Sequence, residues 1–264
     1  MILYKYVDAS SLGHFFKDGY ISIKFTPHGE FNDPFESYGY SIGDESLISL
    51  TMRHEINKNL ACLCLSKNPL NVLMWAHYGD EHRGFAVEID TEKAGFDDES
   101  HCIITAPNGD IDYLEERIKG RLKVDQSNVY RTDIISKLLL NKSVHWKYEE
   151  EVRVIKKSES LTEQLTDKGP ILITKVINLD AVTGIYIGMR NANFDSVVRE
   201  NSQLEDLITN QKIKLYRCDF KKSTWDLDKE DHQYVKHPHM MDRIGVYDSL
   251  EKVIRNMNRD HIED

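Results

Sequence analysis

The sequence predicts an α+β fold, and three observations carry the prediction. Helix-like and strand-like segments follow one another without the regular strand–helix–strand beat of a doubly wound parallel sheet. Several segments alternate apolar and polar residues with period two, as half-buried strands do, for example Tyr20-Ile21-Ser22-Ile23-Lys24. Hydrophobic residues make up 40% and charged residues 30% of the 264, a globular composition rather than a disordered one. That length suits one large domain, or one domain with a small appendage. We expect one α+β domain over 1–220, followed by a polar segment and helix, 221–264, packed on it.

The elements follow in order. Ile2 to Tyr6 reads as a strand. Ser10-Ser11 caps a short helix carrying Leu12, Phe15 and Phe16, Asp18-Gly19 stops it, and Tyr20 to Lys24 is a second strand. A loop of turn formers runs from Thr26-Pro27 to Asn32-Asp33-Pro34. Residues 44–58 read as a helix, Leu60 to Ser66 as a buried strand, and Leu70 to Tyr78 as a short helix capped by Asn68 ahead of Pro69. Gly84 to Asp90 alternates, with Phe85, Val87 and Ile89 on one face. Residues 91–109 are turn-rich, and Asp110 to Lys123 and Arg131 to Lys142 are predicted as helices. Strands follow near 150–156, 171–178, 184–188 and 212–218, with a polar helix over 192–208. The stretch from Lys221 to His239 is polar and His-bearing, and an amphipathic helix runs from about Tyr247 to Asn258.

Composition narrows the function classes. No apolar run approaches the roughly 20 residues of a membrane span, and the first residues read as a strand rather than a signal peptide. A cytoplasmic protein without a membrane partner is expected. Cys62, Cys64, Cys102 and Cys218 are then reduced thiols. Cys62 and Cys64 share a strand face, but no second Cys/His pair follows at a zinc-like spacing, so they read as buried structural thiols. A net charge of −10 argues against duplex binding through a broad basic face, though a local basic groove can still hold a nucleotide. The glycine-rich dinucleotide and P-loop signatures, H-E-x-x-H and G-x-S-x-G are absent. His232, His237 and His239 lack Asp or Cys partners at a diagnostic spacing and read as surface histidines, so no metal site is expected.

Three islands carry the remaining information. In Phe31-Asn32-Asp33-Pro34-Phe35-Glu36, Asn, Asp and Pro build a turn. It is either a rigid corner anchored by its aromatics or a surface presenting Asn32, Asp33 or Glu36 to a ligand. In Met74 to Phe85, Trp75 and Tyr78 share a helix face, and His77, Asp80, His82 and Arg83 crowd the following turn. His with Asp suits general acid–base chemistry, and it equally suits a polar network pinning a helix end. The third island is His145-Trp146-Lys147-Tyr148-Glu149-Glu150-Glu151-Val152-Arg153. If extended throughout, it places Glu150 in an apolar stripe with Trp146, Tyr148 and Val152, and Glu149, Glu151 and Arg153 on the other face. Three adjacent acids repel one another and require nearby cations or a chemical purpose. A surface strand balanced by Lys147 and Arg153 is the plain alternative.

The order of these islands resembles a widespread, largely uncharacterised bacterial domain-of-unknown-function family. That family shows a Tyr-rich first strand, N-D-P-F-E, a Cys/Ser strand, M-W-x-H-Y-x-x-x-H-x-G-F and W-x-Y-E-x-E-x-R. The corresponding residues here are Tyr4 to Tyr6, Asn32 to Glu36, Cys64 to Ser66, Met74 to Phe85 and Trp146 to Arg153. The opening strand, short helix, Gly and strand, with Glu149-x-Glu151-Val152, also resemble ADP-ribosyltransferases, especially the DNA-targeting toxin branch. Lys5 or Tyr6 replaces the His or Arg of that family's first strand.

This second resemblance implies a mixed, mostly antiparallel split sheet with flanking helices. It also implies an NAD-consuming transferase, a toxin or phage-defence effector, with NAD as substrate and nucleic acid or protein as acceptor. Glu151, with Glu149 or Glu150, would act at the anomeric carbon. Tyr4, Lys5 and Tyr6 would hold the adenosine or ribose end, and Asn32 and Asp33 would line the pocket. His77 and Arg83 would bind phosphate or steady the acceptor loop, while Trp75 and Arg153 complete the cofactor-binding set. Tyr38, Tyr78 or Tyr148 would stack on nicotinamide. Two other readings remain open. One is a nuclease or phosphodiesterase-like enzyme using His77, Asp80, His82 and the Glu tract as bases or metal ligands. The other is a noncatalytic ligand-sensing or interaction module.

Overall fold

A computed structural model describes residues 1–17, 19–36, 40–42, 47–122, 127–128, 130–166 and 169–236. Its elements are β1 (Ile2–Val7), α1 (Leu12–Phe15), β2 (Phe16–Lys17), β3 (Tyr20–Pro27), β4 (Tyr40–Ile42), α2 (Leu47–Asn59), β5 (Leu60–Ser66), α3 (Val72–His77), β6 (Phe85–Asp90), β7 (Asp112–Leu114), β8 (Ile118–Leu122), α4 (Thr132–Leu139), β9 (Asn141–Ser143), β10 (Glu151–Lys157), β11 (Thr162–Thr166), β12 (Gly169–Val176), β13 (Val182–Ile187), α5 (Phe194–Arg199), α6 (Ser202–Thr209), β14 (Lys214–Phe220) and β15 (Leu227–Asp231). The fold is α+β. Its large open sheet runs β11-β12-β3-β5-β1-β6-β13-β14-β15, with β10 beside β5 and β2 beside β3. The sheet is mixed and mostly antiparallel, the β13–β14 pair being parallel.

The chain forms two compact units, Met1–His232 and Gln233–Asp264. The first includes β15, which pairs with β14 from Tyr216↔Asp231 to Phe220↔Leu227. The helix expected near Tyr247 to Asn258, His237, His239 and Tyr38 lie outside the described residues.

β5 is the hub. Its apolar run Leu60-Ala61-Cys62-Leu63 is fully buried, as a strand covered on both faces must be. Along one edge β10 pairs with all of it, from Glu151↔Ser66 to Lys157↔Leu60. Along the other edge, β3 takes its beginning (Thr26↔Cys62, Pro27↔Ala61) and β1 its end (Tyr4↔Ser66). The sheet therefore divides beside Leu63 to Leu65. There the Lys5 Nζ donates to the Cys64 carbonyl at 3.1 Å.

Cross-strand partners share a sheet face. Arg153 thus lies with Cys64, and Glu151 with Ser66 and Tyr4. Farther along β10 on that face, Ile155 joins a core with Leu60, Cys62 and the α4 residues Ile134, Ile135, Leu138 and Leu139. One face of β10 thus changes from apolar core to charged site within four residues.

Several predicted elements differ. Of the helix predicted from Asp110 to Lys123, the described residues 110–122 are not helical. Asp112–Leu114 pairs in parallel with β9, and Ile118–Leu122 with β4; pairing with distant strands overrides local helical preference. The single helix over 192–208 is two helices. Asn201 separates them by accepting from Leu204 N at 2.9 Å and donating to the Gly13 and Phe16 carbonyls, both at 2.9 Å. The cap of α3 is Asn71, whose side chain accepts from Leu73 N and Met74 N. Asn68 instead turns the chain before it, accepting from Leu70 N at 2.9 Å.

The segment before β10 is not extended. Val144–Glu149 forms a 3-10 helix, and the Ser143 side chain accepts from His145 N at its start. Glu150 then adopts a left-handed conformation, φ 46°, ψ 47°, and the strand begins at Glu151.

Candidate functional site

That local geometry resolves the register of the three acids. Glu149 and Glu151, on either side of a left-handed residue, are both buried, at 3% and 5% exposure. Glu150 is exposed and accepts from Asn68 Nδ2 at 3.1 Å. Glu149 and Glu151 line a cavity of about 290 Å³ at the division of the sheet. Tyr4, Lys5 and Tyr6 come to it from β1, and Cys64 and Ser66 from β5. Asn32 and Glu36 come from the loop after β3, Tyr78 from the end of α3, Lys142 from β9 and Arg153 from β10.

The floor is a continuous ionic network. Arg153, 0% exposed, sends Nε to Glu151 Oε1 at 2.8 Å and Nη2 to Glu151 Oε2 at 3.1 Å. Its other edge grips Glu36, with Nη2–Oε1 at 2.6 Å and Nη1–Oε2 at 2.9 Å, and Nη1 also donates to the Leu139 carbonyl at 2.7 Å. Such paired donors match the planar guanidinium fork. Lys142 Nζ donates to Glu149 Oε2 at 2.5 Å and Glu151 Oε2 at 3.2 Å, and stands 4.8 Å from the centroid of the Trp146 ring. The Tyr78 hydroxyl donates to Glu149 Oε1 at 2.7 Å.

Three carboxylates therefore face two strong cations, and the acids do not share them equally. Burial alone would raise all three. At Glu151 the Arg153 guanidinium, then Lys142, overcome burial and hold the carboxyl well below its ordinary range. At Glu36, Arg153 with His28 brings it down to about 2. At Glu149 burial prevails: Lys142 opposes it, the Glu151 charge reinforces it, and the pKa is raised. Burial also disfavours the Lys142 ammonium, but Glu151 and Glu149 more than compensate and raise its pKa. For Lys5, burial dominates and lowers it.

The remaining predicted residues lie around this centre rather than in the cavity wall. The exposed His77 meets the Tyr148 hydroxyl through Nδ1 at 2.9 Å. Trp75 is a core residue at 0% exposure; its indole N–H donates to the Pro69 carbonyl at 2.8 Å. Arg83 is exposed and pairs with Glu81 at 3.0 Å and Asp80 at 3.6 Å. Asp80 thus faces an arginine, while His82 stacks on Trp75 with an interplanar angle of 14°. Asp33 is buried, but it lines a neighbouring cavity.

The sequence does not single out Lys142, and it offers Glu36 only as one possible ligand group. The signal for Lys142 was indirect: adjacent acids require a cation, but nothing local says which. Among the described residues, no group of three or more His, Cys, Asp or Glu is placed to hold a metal ion. No described helix is long and apolar enough to cross a membrane.

Fold and site thus define an α+β protein with a buried carboxylate–lysine–arginine network opening into a cavity. Residues 74–154 match a family described as "Protein of unknown function (DUF2971)". The resemblance to a domain-of-unknown-function family is therefore shown over a stretch holding α3, Lys142, Glu149, Glu151 and Arg153. No curated protein and no solved structure matches the chain.

Proposed function

We propose that the cavity binds the nicotinamide–ribose end of NAD and transfers ADP-ribose to an acceptor. The observation that carries this is the pair Glu149 and Glu151, which share Lys142 while Arg153 pairs with Glu151 alone of the two. Two carboxyls whose environments drive their acidities apart suit separate electrostatic and acid–base roles. Glu151, kept ionised, is a fixed negative charge beside the anomeric carbon as positive charge develops there. The C–N bond to nicotinamide breaks, and its electron pair leaves with the ring. The acceptor heteroatom bonds to the anomeric carbon, and its proton passes to Glu149. Tyr4, Tyr6 and Tyr78 wall the cavity beside the planar ring, and Asn32 supplies an amide at its rim. The volume of about 290 Å³ matches this end of the dinucleotide rather than the whole of it.

A metal-dependent nuclease draws less support, because Lys142 and Arg153 already stand against these carboxylates, where a divalent cation would bind. A noncatalytic ligand-sensing module is the second reading. It is favoured by the full engagement of Glu151, both of whose oxygens accept charged donors.

The test is to incubate the full chain with NAD, with nucleic acid or protein acceptors, and follow nicotinamide release with and without a chelator. Chelator-insensitive release is expected, reduced about 10²-fold or more in Glu149→Gln and Glu151→Gln. Absence of both release and any NAD-dependent thermal shift would reject the transferase reading. A thermal shift without release would favour the sensing module.

A further inference from the structure

A second cavity, of about 290 Å³, shares only Lys142 with the first. Asp33 stands in its wall at 5% exposure. The Asp33 Oδ1 accepts from Phe35 N at 2.9 Å, and Oδ2 accepts no hydrogen bond among the described residues. That oxygen belongs to a group lining an open cavity, so a donor from solution can reach it.

The surroundings define the donor. Phe35, 63% exposed, lies in the same wall, as does the half-buried Leu114; this is apolar surface that folding has left uncovered. Asn141, 8% exposed, spends its Nδ2 on the Lys137 carbonyl at 2.7 Å, leaving Oδ1 to accept. Glu115 adds a second negative charge at the exposed side. The cations in the wall are already engaged: Lys142 holds Glu149 and Glu151, and Arg117 has a partner of its own.

We propose that this cavity binds an organic cation, a protonated amine or guanidinium on an apolar stem. Its nitrogen donates to Asp33 Oδ2 and Asn141 Oδ1, and its stem and charge lie against the Phe35 ring. The proposal stands whether or not the first cavity is a transferase site.

The test is calorimetric titration of the full chain with butylguanidinium and with its uncharged isostere butylurea. Butylguanidinium should bind saturably, and butylurea at least about tenfold more weakly, the cost of exchanging a charge-assisted hydrogen bond for a neutral one. Asp33→Asn keeps an acceptor for Phe35 N and removes the charge; it should weaken butylguanidinium at least about tenfold. Phe35→Ala removes a largely exposed ring and should weaken binding several-fold with the unfolding midpoint unchanged. Absence of saturable binding, equal affinity for the two probes, or wild-type affinity in Asp33→Asn would overturn the proposal. If Asp33→Asn does not fold, the two-probe comparison and Phe35→Ala decide it.

Discussion

Lys142 donates to both Glu149 and Glu151, yet the two carboxyls are shifted in opposite directions, because Arg153 reaches only Glu151. Under the proposed chemistry Glu149 must be ionised to take a proton. The acid limb of kcat/KM should therefore lie above the ordinary carboxyl value of 4.5; a midpoint at or below it in a pH–rate profile would remove Glu149 from that role. Glu36 works the other way. Its folded-state pKa, about 2, lies below 4.5. The stability it contributes is present above 4.5 and is lost as pH falls toward 2. Urea midpoints for Glu36→Gln should change less with pH than wild type in that window. Arg153→Leu would leave Glu36 and Glu151 buried without their guanidinium, at a cost of about 3–5 kcal/mol in urea unfolding. At this scale the sequence was partly legible. The acids, Arg153 and the Tyr-rich first strand were visible as rare residues in tight spacing. Lys142 was not: Glu149 and Glu151 stand seven and nine positions away, and they reach it only because the 3-10 helix over Val144–Glu149 turns the chain back.

The element that decides the site is the turn at Glu150. Alternation read through Trp146, Tyr148 and Glu150 assumed one continuous strand; the 3-10 helix and a single left-handed residue replace it. Periodicity cannot reveal such a break, because no Gly or Asn marks the left-handed position. Glu150→Gly should leave nicotinamide release unchanged and stabilise the fold by up to about 1 kcal/mol, measured by chemical denaturation; a loss of activity would show that Glu150 acts in the site. The opposite result is expected at Gly109. A Cβ there would stand 2.0 Å from the Arg153 carbonyl oxygen, and Gly109 O also accepts from Arg153 N at 2.8 Å. Gly109→Ala should destabilise by about 1–3 kcal/mol and disturb the Arg153 network with it. Elements with strong alternation or long apolar runs, such as β3, β5 and β6, were legible. β7, β8 and β15 were not, because short polar strands owe their existence to the partner they pair with.

Across the whole molecule, mixing without a βαβ beat identified the α+β class, whereas strand order and the hub at β5 depend on pairings between distant segments. Amides of β5 should be among the slowest to exchange with deuterium, and those of the edge strands β11 and β15 among the fastest. The hub also has a consequence in time. Arg153 and Glu36 meet across 117 positions of chain, and the Ser66 hydroxyl meets the Glu149 carbonyl across 83. During synthesis β5 appears long before β10 can cover its open edge. A growing chain that has not yet reached Arg153 thus lacks the guanidinium at the floor of the cavity. Whatever chemistry the finished protein performs, the ribosome releases it only after most of the domain has been made.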